Sequence, residues 1–383
     1  MKATTSNRLF ELLSRSLAPD KHIQPGEPSE TIGHPDRKDW LAVISLAEQN
    51  EVCGLVYDSV LALPKEQQPD LEVMMRWTAI IQSIERDNRL YRQRLSESFD
   101  VFEKRQYIPI LMKGLTLSEL YPEPLHRPVG DVDIFVPIDQ QKEISQCLRQ
   151  IGGKVDIHYD VKHTTAQYQG LNWELHYRTM HFFSIMHDKR YHLLELEETA
   201  TDNLYHETIE GHTVPVFPPM FNIIYLTAHF QHHLLLGKIS LRQVVDWMLA
   251  LNHDRAALGI AEANLIRTLK RVGLYRLYCA MGYIAIHHLG YSESGYAGLA
   301  RLTPADRLRG RLLLRMLITG HAPGCKPFHP WLVSDGLLQR INHFIELCKR
   351  CFVLFDLCPL EALSTPSGFI YQACKRRRAA KKE

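Results

Sequence analysis

Apolar positions recur with a helical period from the start of the chain. Leu9, Leu12, Leu13 and Leu17 fall on one face, and residues 40–63 resume the period after a break rich in Pro, Gly and Ser at 19–35. A longer amphipathic stretch, 71–105, places Arg76, Glu85, Arg86, Arg92 and Arg94 on its wet side. Residues 1–105 therefore read as a helical region. The period changes at Tyr107. Residues 107–112 form a short apolar run ended by Lys113-Gly114, 115–120 read as helix, and Tyr121-Pro122-Glu123-Pro124 reads as loop. A second strand is predicted over 129–136 and a helix over 140–151, stopped by Gly152-Gly153. Strict alternation over 154–161 and strands at 164–170 and 171–178 complete the segment. Short connections between these elements predict an α/β or α+β unit over residues 106–217. From Pro218 the period is helical again, at 221–236, 241–251, 261–272, 274–289, 307–319 and 337–357. Residues 218–374 thus read as a second helical domain, with 375–383 as a basic tail.

Composition adds limits. At 383 residues, 45% apolar and 23% charged, the chain can bury a large core and is far from the composition of disordered segments. Its 45 basic and 43 acidic side chains leave a surplus of only +2, too small for a chain whose main partner is a long nucleic acid. The basic residues gather at one end: Lys375, Arg376, Arg377, Arg378, Lys381 and Lys382 stand against the single acid Glu383. That segment reads as a solvated, frayed terminus or as a grip for RNA or an anionic surface. The most apolar window, 218–237, contains Asn222, Gln231 and three histidines, so no membrane span is expected. Arg8, Glu11 and Arg15 interrupt the first leucines, which predicts a cytoplasmic chain whose cysteines are reduced.

The candidate chemistry lies between Ile108 and Pro137. Residues two apart on a strand share a face with Cα atoms about 6.8 Å apart, so Asp131 and Asp133 can aim their carboxylates at one point. Two carboxylates converging there need a cation between them, and a hard divalent ion, Mg²⁺ or Mn²⁺, suits oxygen donors. Upstream, Lys113-Gly114 closes a strand and opens directly into a helix, a geometry that presents free backbone N–H groups to a phosphate. Arg127 stands four residues before Asp131, where its guanidinium could grip phosphate oxygens at two points. A third acid is expected from a neighbouring strand. Glu174 shares a face with His176 and Arg178 and is one candidate, with Asp156 the other. His229, His232 and His233 occur at i, i+3 and i+4, either as packing histidines or with His229 and His232 turned to a substrate cleft beside an Arg242–Asp246 ion pair. Cys348-x-x-Cys351 with Cys358 lacks a fourth zinc ligand and reads as helix packing.

Taken together, Leu111-Met112-Lys113-Gly114, Leu120-Tyr121-Pro122, Arg127-Pro128-Val129-Gly130-Asp131-Val132-Asp133, Trp173-Glu174-Leu175-His176 and Ala228-His229-Phe230-Gln231-His232 with Arg242 and Asp246 resemble the nucleotidyltransferase superfamily with the DNA-polymerase-beta-like core. The similarity is to its bacterial group of uncharacterised nucleotidyltransferases. The resemblance spans about residues 108–251 and implies an α+β fold with a mixed-sheet catalytic core. It also implies Asp131, Asp133 and Glu174 as catalytic metal ligands. Lys113, Gly114, Thr116, Arg127 and Gly130 would bind the nucleoside triphosphate, and the acceptor would be a small metabolite, sugar or protein hydroxyl. The sequence departs from the pattern at one point. The superfamily's turn is Gly-Gly or Gly-Ser, whereas Leu115 follows Gly114 here and Thr116 is the nearest hydroxyl, which leaves open a catalytically degenerate binding or regulatory module.

Overall fold

The computed structural model describes residues 3–17, 29–107, 109–138, 140–156, 163–291, 299, 302–326 and 337–379. Three helices, α1 (Ala3–Leu17), α2 (Arg37–Gln49) and α3 (Cys53–Leu61), precede the long α4 (Leu71–Glu103). The helical stretch expected as continuous over 40–63 is broken at Asn50–Val52, where Glu51 takes a positive φ. Asp36 and Asp70 cap α2 and α4 by accepting the backbone N–H three residues on.

A seven-stranded mixed sheet follows in the order β3-β4-β5-β2-β1-β7-β6. Its strands are β1 (Ile110–Leu111), β2 (Val132–Phe135), β3 (Lys154–Asp156), β4 (His163–Tyr168), β5 (Leu171–His176), β6 (Tyr205–Ile209) and β7 (His212–Val216). The expected strand over 154–161 is described only as far as Asp156. β2 runs parallel to β5 and antiparallel to β1, and β1 runs parallel to β7. Two hairpins, β4–β5 and β6–β7, turn on Gln169-Gly170 and Glu210-Gly211. Both residues of each pair have positive φ, the backbone that tight two-residue hairpins require.

α5 (Leu115–Ser118) follows β1, α6 (Gln141–Gln150) follows β2, and α7 (Ile185–Glu198) leads into the β6–β7 hairpin. The helix expected over 115–120 is thus four residues long. The last part of the chain is helical: α8 (Pro219–Leu236), α9 (Leu241–His253), α10 (Arg255–Ile260), α11 (Glu262–Arg271), α12 (Tyr275–His288), α13 (Pro304–Thr319), α14 (Leu337–Val353) and α15 (Pro359–Ala379). The segment expected as a frayed tail from 375 continues α15 through Ala379, in keeping with the helix propensity of Lys, Arg and Ala. Residues 380–383 lie outside the described residues. No described helix is long and apolar enough to cross a membrane.

Alternation along the strands separates two apolar cores. Val132, Ile134, Trp173, Leu175 and Ala166 point to one side of the sheet, where they pack with α6 and with Tyr91, Leu95, Phe99 and Phe102 of α4. The other core joins α1–α3, the first half of α4 (Val73, Trp77, Ile81) and α8–α15. The two terminal helical regions therefore share one core, and α4, about 50 Å long, runs through both. This arrangement leaves one face of β2, β5 and β4 for polar residues.

Candidate active site

The register of the parallel pair β2–β5 sets Asp133 beside Glu174, and β4 sets Thr165 beyond Glu174 and His163 beside His176. Asp156 occupies the same rung one strand further still, opposite Thr165, so two strands, β4 and β5, separate it from Asp133. With strands about 4.8 Å apart, Glu174 is within carboxylate reach of Asp133 and Asp156 is not. Asp131, just before β2, is exposed and lines an open cleft of about 630 Å³ together with Glu174, Asn172, Thr165, Gln167 and Lys154.

Charge at this face is tightly arranged. Nε2 of His176 lies 3.0 Å from Oδ1 of Asp133 and 3.1 Å from Oε2 of Glu174, and Nε2 of His163 lies 3.8 Å from Oε1 of Glu174. Nζ of Lys113 reaches Oδ1 of Asp133 at 3.2 Å and donates to Nε2 of His229 on α8 at 2.8 Å. Nε2 of His233 lies 3.2 Å from that of His229, and His232 meets His233 edge-on, 6.0 Å between ring centroids. Burial alone would raise the pKa of Asp133 and of Glu174. Lys113 and His176 hold Asp133 below the ordinary carboxylate value, and His176, His163 and Lys113 hold Glu174 well below it. Asp131 goes the other way: burial and the negative charges of Glu174 and Asp133 raise it, against the pull of Lys113 and a hydrogen bond from Asn172.

Gly114 closes the turn after β1 with φ +84° and ψ −109°, a backbone that only glycine adopts without strain. Thr116 is not brought to the acids. It lines a separate cleft of about 550 Å³ with Glu119, Glu207, Asn252 and His253. A side chain at Gly130 would meet nothing within 4 Å, so no close approach accounts for that glycine.

Arg127 departs most from its expected place. It is buried and bonded to Asp246 of α9 at two points, Nε to Oδ1 at 2.8 Å and Nη2 to Oδ2 at 2.9 Å. Tyr121 donates its hydroxyl to the same Oδ1 at 2.8 Å, and Asn88 of α4 donates to the carbonyls of Leu125 and Arg127. The guanidinium expected to grip phosphate is committed to a buried carboxylate, and its role is to fix the segment that leads into Asp131. The expected Arg242–Asp246 ion pair is present, Nη1 to Oδ2 at 3.7 Å, and Arg242 also bonds Glu51 through Nε at 2.9 Å.

The site also includes residues that the sequence did not single out. His163 is set by register alone. Tyr225 lies on α8, its pKa raised by burial and by Asp133 and Glu174, and its hydroxyl has no hydrogen-bond partner among the described residues. Nδ1 of His176 is likewise without one. His163, Glu174 and His176 each offer a ligand atom within 4.8 Å of the others, with Asp133 3.0 Å from His176, a grouping that could hold a metal ion. Cys348, Cys351 and Cys358 are free thiols, the last two buried.

A family model described as an uncharacterised nucleotidyltransferase matches residues 36–290, more than half of the chain. No curated protein matches the chain, and no solved structure does. The chain belongs to this nucleotidyltransferase family, whose description supports nucleotidyl transfer in general terms.

Proposed function

On that membership, we propose that the chain transfers a nucleoside monophosphate from a nucleoside triphosphate to a hydroxyl acceptor with release of pyrophosphate, in a Mg²⁺- or Mn²⁺-dependent reaction. The observation that supports this reading is that Asp133 and Glu174 are register partners on adjacent parallel strands, with Asp131 and Glu174 lining one cleft. These three carboxylates would hold the metal. When bound, it would supply charge neutralisation to the triphosphate and acidify the acceptor hydroxyl.

The remaining work falls to the chain itself. The acceptor oxygen forms a bond to the α-phosphorus as the α–β bridging bond breaks, the electron pair leaves with pyrophosphate, and the hydroxyl proton passes to the carboxylate cluster. Positioning and fixed charge dominate chemistry of this kind, so no nucleophilic side chain is required. Lys113, tethered between Asp133 and His229, brings an ammonium beside the acids toward the triphosphate. Gly114 turns the backbone there, and His176 holds Asp133 and Glu174 at a fixed separation. The buried Arg127–Asp246 pair keeps the segment before Asp131 in place. Lys154, Thr165, Gln167 and Asn172 offer a polar floor for the nucleotide or for a small-molecule or protein acceptor. Free thiols at the described cysteines suit a cytoplasmic setting.

A second reading, a chain that binds nucleotide without turnover, draws on a specific observation: Oδ1 of Asp133 already meets Lys113 and His176. One experiment separates the two. The four nucleoside triphosphates, labelled at the α-phosphate, are incubated with the protein, Mg²⁺ or Mn²⁺ and cell extract, and both label transfer and pyrophosphate are followed. Pyrophosphate release that requires the protein and Asp133 supports transfer, whereas metal-dependent binding with no pyrophosphate leaves the non-catalytic reading.

A further inference from the structure

The end of the chain carries a surface that catalysis does not use. α14 buries Leu347 and Cys351, while Ile341, Ile345 and Phe352 are exposed on its other side. The turn adds Phe355. On α15, Ala362 and Thr365 are buried, whereas Leu360, Leu363, Ile370 and Tyr371 are exposed. The exposures are large: 84% for Phe352, 69% for Tyr371 and 63% for Leu363. By helical period Leu360, Leu363, Ile370 and Tyr371 share one arc of α15, so they form a stripe rather than scattered apolar residues.

Charge follows directly on this stripe. From Ala362 to Lys382 the chain has no acidic residue, and Lys375 to Arg378 stand one to two turns beyond Tyr371 on the same helix. An apolar stripe continued by an uncompensated basic run matches the two layers of an anionic bilayer surface, acyl boundary and headgroup phosphate. A nucleic acid would engage the basic run and leave the aliphatic stripe in water. A second copy would set two basic runs against each other.

We propose that the α14–α15 end docks this chain on an anionic lipid surface, with Phe352, Leu363, Ile370 and Tyr371 entering the headgroup region and the Lys/Arg run holding the phosphates. The proposal is independent of the nucleotidyl-transfer reading, because none of these residues lies among the acids, Lys113 or their partners.

The test is vesicle sedimentation of the full chain. Vesicles of phosphatidylcholine alone are compared with vesicles containing roughly 30% phosphatidylserine, in about 0.1 M and about 0.5 M salt. The expected result is at least about tenfold stronger binding to the anionic vesicles, largely lost at the higher salt. Leu363→Ser/Tyr371→Ser, at positions already exposed, should keep the circular dichroism spectrum of the parent and weaken vesicle binding about tenfold. Truncation after Gln372 should abolish it. Three results would overturn the proposal. One is no binding to anionic vesicles at low salt. Another is binding of an RNA 20-mer that matches or exceeds vesicle binding and is untouched by the serine pair. The third is a dimer in sedimentation velocity that the serine pair converts to monomer, with no vesicle binding by either form.

Discussion

Replacing Asp246 by Asn tests whether Arg127 is a structural cation or a phosphate ligand. Only 4% of the Arg127 side chain and 7% of the Asp246 side chain are exposed, so water cannot take over from the lost carboxylate. Removing one partner of a buried pair strands the other charge and costs about 3–5 kcal/mol. Asparagine keeps one acceptor oxygen for Nε of Arg127 or for the Tyr121 hydroxyl, which places the expected loss near the lower bound. About 3 kcal/mol corresponds to on the order of a hundredfold in the folding equilibrium. A urea titration followed by tryptophan fluorescence measures it, with the buried Trp247 adjacent to the substitution. Substituting both partners, Arg127→Met with Asp246→Leu, should recover most of the loss, since no charge is left unpaired. The pH dependence has a definite sign. Burial would raise the Asp246 carboxyl, but Arg127 holds it below the ordinary value. Its stabilisation is therefore full above the unfolded carboxylate value of about 3.9 and is lost as pH falls through the lower folded value, a dependence that Asp246→Asn should remove. A loss below about 1 kcal/mol, the range of exposed pairs, would refute the reasoning and return Arg127 to the set of residues free to meet phosphate.

Other outcomes follow from the same geometry. Asp131→Asn, Asp133→Asn and Glu174→Gln should each lower label transfer at least about 100-fold at saturating Mg²⁺; wild-type turnover by any of them in the same assay would remove that residue from the metal set. Lys113→Ala should raise KM for the triphosphate more than it lowers kcat, because its ammonium would meet charge already present in the ground state, and saturation kinetics separate the two. Gly54→Ala should destabilise the fold by about 1–3 kcal/mol or more in the urea titration, as overpacked sites do. The new Cβ would fall 2.4 Å from the Cβ and carbonyl oxygen of His126, next to Arg127.

Legibility in the sequence followed the range of each interaction. The run from Val129 to Val136 announces a strand that the structure confines to Val132–Phe135, so alternation places Asp133 on it and Asp131 just before it, and Glu174 falls on its strand as alternation reads it. His163 is not legible, because nothing local sets it beside His176; that depends on the two-residue Gln169-Gly170 turn fixing the β4–β5 register. The Arg127–Asp246 pair joins residues 119 apart, and periodicity offered Asp246 a nearer partner in Arg242 that the fold assigns mainly to Glu51. The β6–β7 hairpin did carry a local signal, Glu210-Gly211 between two strand-like runs, although the exposed edge strand β6 makes its alternation faint. Thr116, chosen as the nearest hydroxyl in sequence, faces another cleft because one residue along a helical turn swings a side chain by about 100°.

The sharing of one core by the first and last helices also dictates an order of assembly on the ribosome. The sheet core draws on residues from Tyr91 to Val216, a continuous segment that can close as soon as it has emerged. The helices α1–α3 and early α4 can pack on one another before that, with Trp77 against Trp40 and Tyr57, but the part of their surface that meets the later helices, such as the face of α1 against α12, cannot close yet. Roughly 140 residues separate Ile81 from Pro219, so at about 5–20 residues per second that remaining surface waits on the order of ten seconds without cover. Nascent chains stalled before α8 should accordingly show a protease-resistant sheet segment joined to an N-terminus that is digested faster than in the full chain, while chains released after α12 should protect both equally.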